Sequence, residues 1–118
     1  MLPIFLQIAL ERENATQKCI ELIEKAQFLL YETEISTPDS VLQTEKHDFE
    51  ENKSDFEKNK TAFEHFLQAV LIPYTKTSGA KPDNYWEESM EKIFLYNQLL
   101  LDKIKIFDSI VSKIDKYL

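Results

Sequence analysis

The sequence predicts an all-α protein, one elongated, antiparallel, up-down-up three-helix bundle with coiled-coil-like seams. Three observations predict it. Gly occurs once and Pro four times in 118 residues, too few turn formers for sheets or an irregular fold. Apolar residues recur every seven positions with companions three or four further on, which places them on one helix face. Pro-bearing breaks divide the chain into stretches of matched length, residues 3–35, 38–72 and 84–118, so the whole of 1–118 reads as a single domain. Helices of about 33 residues span about 50 Å at about 1.5 Å per residue.

The first helix is expected over 3–35. Pro3 suits the first helical position, where a missing N–H costs nothing. Ile8, Ala15, Leu22 and Leu29 form its seam, joined by Cys19, Ala26, Ile23 and Leu30. The small residues Ala15, Cys19 and Ala26 allow a neighbour to come close. Arg12 and Thr33 interrupt the stripe near its ends. Asn14 with Gln17 is a capping-box pattern that permits a kink, but a continuous helix is preferred. The run Ser36-Thr37-Pro38-Asp39 then supplies a cap residue, Pro at the first position and an acid in the first turn of the second helix. Pro38 disfavours helical geometry at Thr37, so the first helix must stop before it.

The second helix is expected over 38–72. Leu42, Phe49, Phe56, Phe63 and Val70 make a ladder one side chain wide. Its companions are polar: Lys46, Lys53 and Lys60 four residues on, Asn52 and Asn59 three on. The Lys–Glu pairs among them, Lys53–Glu57, Lys60–Glu64, Glu50–Lys53 and Glu57–Lys60, read as a solvated face. The ladder is either intramolecular core or an interface. From Phe66 to Ile72 the chain is apolar on most sides and is expected to be deeply buried. Residues 73–83 form the loop, and Asn84 or Asp83 caps the third helix. Trp86, Ile93, Leu100, Phe107 and Ile114 are its seam, with Met90, Asn97, Ile104, Val111 and Leu118 four residues on. Asn97 is the one polar break.

Chemistry-bearing patterns are scarce. Neither His47 nor His65 has the Glu-x-x-His spacing of helical di-iron sites, and no His-Glu-x-x-His or calcium loop is present, so no metal or cofactor is expected. Cys19 sits in an apolar seam and reads as a small core residue rather than a nucleophile. His65 is followed by Phe66-Leu67, unlike the exposed His of a phosphotransfer bundle. One Gly cannot build a phosphate loop. The chain is therefore read as a non-enzyme with no small-molecule substrate. A net charge of −7 without a basic stripe argues against direct nucleic-acid or anionic-membrane binding, and neither is expected. The apolar run over 1–10 lacks a positive n-region and a cleavage site and is too short to span a bilayer. With one cysteine, this favours a cytoplasmic protein.

What remains is surplus apolar surface. Between residues 93 and 107, ten of fifteen residues are apolar or Tyr, and Phe94, Leu95, Leu99, Leu101 and Ile106 lie off the main seam. Ile4 and Phe5 do likewise in the first helix, while Tyr85 and Trp86 are either a lid on one bundle end or a binding hot spot. A three-helix bundle leaves such stretches exposed unless another chain covers them. The expected function is a non-enzymatic protein-binding module, an adaptor, export chaperone or inhibitor/immunity-type protein, whose partner is another protein or a second copy. A homodimer is expected. Alternatives are a self-assembling structural spacer and an acidic mimic of nucleic acid. Phe94-Leu95-Tyr96-Asn97-Gln98-Leu99-Leu100 resembles the Asn-bearing helices of small flagellar and type III secretion export chaperones, over a short stretch of one helix. Asn97, once buried, needs a hydrogen-bond partner, and a lone polar seam residue is expected to set register or partner choice. Asn97→Leu is expected to raise stability and loosen that choice.

Overall fold

In the computed structural model, which describes residues 2–71 and 85–118 and the side chains of 7–69 and 87–118, the chain is an all-α bundle of three helices packed against one another. Helix α1 is Leu2–Gln27, α2 is Asp39–Phe66 and α3 is Tyr85–Asp115. A π-helical turn continues each of the first two, Phe28–Glu32 after α1 and Leu67–Leu71 after α2. Cross-helix contacts set the directions. Gln27 meets Lys53 while Arg12 meets Asn59, so α1 and α2 run antiparallel. Lys113 meets Glu45, Phe107 meets Phe49 and Tyr96 meets Phe63, so α2 and α3 are antiparallel too. The molecule measures 62 × 21 × 19 Å. Its radius of gyration is 18.2 Å. A compact domain of this length would have about 13–14 Å.

α1 is continuous through Asn14, so the capping-box pattern there marks no kink. It ends earlier than expected, however. Thr33 is already extended, at φ −102° and ψ 138°. Its N–H donates to the Phe28 carbonyl at 3.1 Å and its hydroxyl donates to the same oxygen at 3.2 Å. The Phe28 carbonyl thus accepts both Thr33 donors, closing the last turn where the backbone turns extended. Pro38 is also one place off. It is the N-cap of α2, at ψ 138°, and its carbonyl accepts the Leu42 N–H at 3.1 Å. Asp39 occupies the first turn as expected. The Pro73 stop, the loop over 73–83 and the Asn84 or Asp83 cap lie outside the described residues.

The most extensive helix pairing is α1 with α3. The cause is the seam of small side chains: Cys19 and Ala26 are fully buried, and a missing side chain lets backbones approach. The main core joins Cys19, Leu22, Ala26, Leu29 and Leu30 to Leu100, Phe107, Ile110, Val111 and Ile114, with Phe49 and Phe56 entering from α2. Phe49 stands edge-on to Phe107, 5.9 Å between ring centres. The phenylalanine ladder is therefore intramolecular core. Ile93 and Phe66 form a smaller cluster with half-buried Ile8, Phe63, Leu67 and Tyr96. Two expectations fail at helix ends. Ala69 is exposed, because the π-helical turn past Phe66 rotates it off the core. Leu118 is 58% exposed, because α3 stops at Asp115 before the seam reaches it. No helix among the described residues is long and apolar enough to cross a membrane.

Candidate functional site

Two features of α3 bear on function, an interior polar layer and an exterior apolar surface. The interior layer lies between the two core clusters. Arg12 interrupts the α1 seam and is buried there, 5% exposed. Its Nη2 donates to Asn59 Oδ1 at 2.8 Å and its Nη1 to Asn97 Oδ1 at 3.3 Å. The guanidinium lies over the Phe63 ring, 4.0 Å from the centroid. Asn59 Nδ2 also donates to the Tyr96 carbonyl at 3.3 Å. Burial lowers the Arg12 pKa from its ordinary value, while the fields of Tyr96 and Glu64 oppose that. Arginine nonetheless stays charged. A buried cation is thus held by neutral amide oxygens and a ring face.

A second polar contact sits nearby. Lys103, 8% exposed, donates to Asn52 Oδ1 at 2.9 Å and to Asp55 Oδ2 at 3.1 Å. Further along, buried Glu45 pairs with Lys113 at 3.6 Å. Sequence reasoning left Asn52 and Asn59 as polar companions of a seam only one ring wide. The structure corrects that: Asn59 is 5% exposed and Asn52 is half-buried. The available signal was register. Glu45, Asn52, Asn59 and Phe66 recur every seven residues, three after Leu42, Phe49, Phe56 and Phe63. They are the second half of an a/d seam, polar at Glu45, Asn52 and Asn59 and apolar at Phe66.

The exterior surface contains most of the residues proposed from sequence. Leu95 and Phe94 are 61% and 60% exposed, and Leu101 and Leu99 are 44% and 42%. Ile106 is different, half-buried against the main core. Asn97 is half-buried too and faces inward to Arg12, so its acceptor is already engaged within the chain. The side chains of Ile4, Phe5, Tyr85 and Trp86 lie outside the described residues. Leu95 and Leu99 border a groove of about 590 Å³ between α2 and α3, whose floor includes Ala62, Phe66 and Tyr96 and whose rim carries Lys58 and Lys92. Phe28, 54% exposed, borders a second groove between α1 and α2.

Cys19 lies fully buried in the apolar core. Burial pushes its thiol pKa up to about 12, against a smaller opposing field from Lys103. A nucleophilic cysteine needs the opposite shift. Comparison with protein-family models, with curated proteins and with solved structures finds no match.

Proposed function

We propose that this chain is a non-enzymatic protein-binding helical module of the adaptor, export-chaperone or inhibitor type, acting in the cytoplasm. One observation carries the reading: four large apolar side chains, Phe94, Leu95, Leu99 and Leu101, stand 42–61% exposed on the central stretch of α3. Single exposed leucines are ordinary, but a cluster on a helix otherwise flanked by charge is what a partner surface looks like. The cluster has two sides. Phe94 and Leu101 share one line of the helix with exposed Glu87 and Asp108, and that acidic bracket suits a partner helix with basic flanks. Leu95 and Leu99 share another line, treated below. The cytoplasmic placement rests on the free, buried Cys19.

Co-purification from the native source tests this, comparing the natural chain with Phe94→Ser/Leu101→Ser. Both positions are exposed, so helicity is expected to survive. The reading requires a protein that the natural chain retains and the variant loses. An identical set of captured proteins from both would overturn it.

A further inference from the structure

One line of α3 is complementary to itself. Lys92, Leu95, Leu99 and Asp102 follow each other at spacings of three and four, so they form a second seam on the outside of the helix, beside the buried one. All four are exposed, and Leu95, Leu99 and Lys92 border the α2–α3 groove. Now place a second α3 antiparallel on this seam about a two-fold axis at residue 97. Leu95 falls opposite Leu99 of the copy, and Leu99 opposite its Leu95. Lys92 falls opposite Asp102 of the copy, and Asp102 opposite its Lys92. This is the reciprocal pattern an isologous interface demands, apolar on apolar at the centre and opposite charges at both ends.

We propose that the α2–α3 groove is the dimerisation site of this protein, and that its occupant is α3 of a second copy running antiparallel. The proposal rests on the protein-binding reading above and names the partner for one face of it. Charge decides the occupant. The whole chain carries −7, yet this seam is balanced by one lysine and one aspartate. A parallel copy would set Lys92 on Lys92 and Asp102 on Asp102. The neighbouring line through Phe94 and Leu101 cannot pair with itself, because the antiparallel register that joins those two sets Glu87 against Asp108. Spacings of three and four match the shallow crossing of long bundle helices. Seating α3 of each copy in the groove of the other produces a central four-helix layer, α2 and α3 from each chain.

Charge reversal tests both occupant and register, with sedimentation equilibrium as the readout and circular dichroism as the check on folding. The natural chain is expected to be a concentration-dependent dimer. Lys92→Asp alone and Asp102→Lys alone each create two like-charge contacts per dimer and are expected to weaken association about tenfold or more. Lys92→Asp/Asp102→Lys swaps the pair and is expected to restore it. Mixing the two single variants is likewise expected to restore a heterodimer. A monomeric natural chain overturns the proposal. So does a dimer indifferent to the single reversals, or a double variant that fails to recover. None of these substitutions touches Phe94 or Leu101, so a partner lost with the Phe94→Ser/Leu101→Ser variant is read independently.

Discussion

Replacing Asn59 with leucine isolates the contribution of the interior polar layer. The Asn59 oxygen accepts from Arg12 Nη2 at 2.8 Å inside the bundle, and Arg12 as a whole is 5% exposed. Removing that acceptor leaves a buried charged donor short of a partner, at a cost of about 1.5–3 kcal/mol. The 3.3 Å bond to the Tyr96 carbonyl goes as well, although that carbonyl keeps its place in the helix. Leucine returns part of the loss by burying more apolar surface, about 1 kcal/mol. The net expectation is a destabilisation of about 1–2 kcal/mol. At about 2.1 cal/mol/K of unfolding entropy per residue over 118 residues, each kcal/mol lowers Tm by about 4 °C. Asn59→Leu should therefore melt about 4–8 °C below the natural chain by circular dichroism. The triple variant Arg12→Met/Asn59→Leu/Asn97→Leu removes the charge together with its acceptors. It should regain the loss, because replacing a buried donor together with its acceptors by apolar groups is close to neutral or stabilising. An Asn59→Leu protein as stable as the natural chain would refute the account. Within the same frame Asn97→Leu alone should destabilise, reversing the expectation from sequence, because its acceptor serves Arg12.

Three further outcomes are expected. Lys103 and Asp55 should respond asymmetrically to urea denaturation. Asp55→Ala leaves a buried ammonium with Asn52 as its one remaining acceptor and costs about 1–3 kcal/mol, whereas Lys103→Met leaves a carboxylate that is 44% exposed in the single chain and costs much less. Equal effects would contradict the burial difference. Phe49→Ala empties a fully buried site against Phe107 and should cost about 3–5 kcal/mol, with Phe28→Ala, at 54% exposure, far milder. Cys19 sets an alkaline limit. Its folded pKa is raised, so its contribution is complete below the unfolded value of 9.0 and is lost as pH rises from there towards about 12. The stability of the natural chain should fall more steeply over pH 9–11 than that of Cys19→Ala. In the native state Cys19 should resist a thiol reagent at pH 8 and react on unfolding; prompt native reaction would count against its burial.

The three helices of the described residues, the long axis and the main seams were legible because they depend on local periodicity. Leu22, Phe49, Phe56, Leu100 and Phe107 repeat at the spacing that makes one helix face, and an apolar face must find cover. The exposed quartet on α3 was legible for the complementary reason, as apolar residues lying outside that face. Helix ends were read less well. α1 gives way to a π-helical turn that closes at Thr33, a local change of hydrogen bonding that seven-residue periodicity does not register.

By itself, then, the sequence determined that the chain is helical, where the three helices of the described residues lie, and which side of each is apolar, because these follow from spacing along one helix. Only the tertiary structure decided what the polar residues inside that pattern do. Arg12, Asn59 and Asn97 are far apart in sequence, and each alone reads as a blemish in a seam or a solvated position. They become one layer when antiparallel packing brings α1, α2 and α3 to the same level, and then the guanidinium needs those two amide oxygens. The physical reason is that a polar group's cost depends on its partners, and partners across a bundle are set by register between helices rather than by the spacing within any one of them.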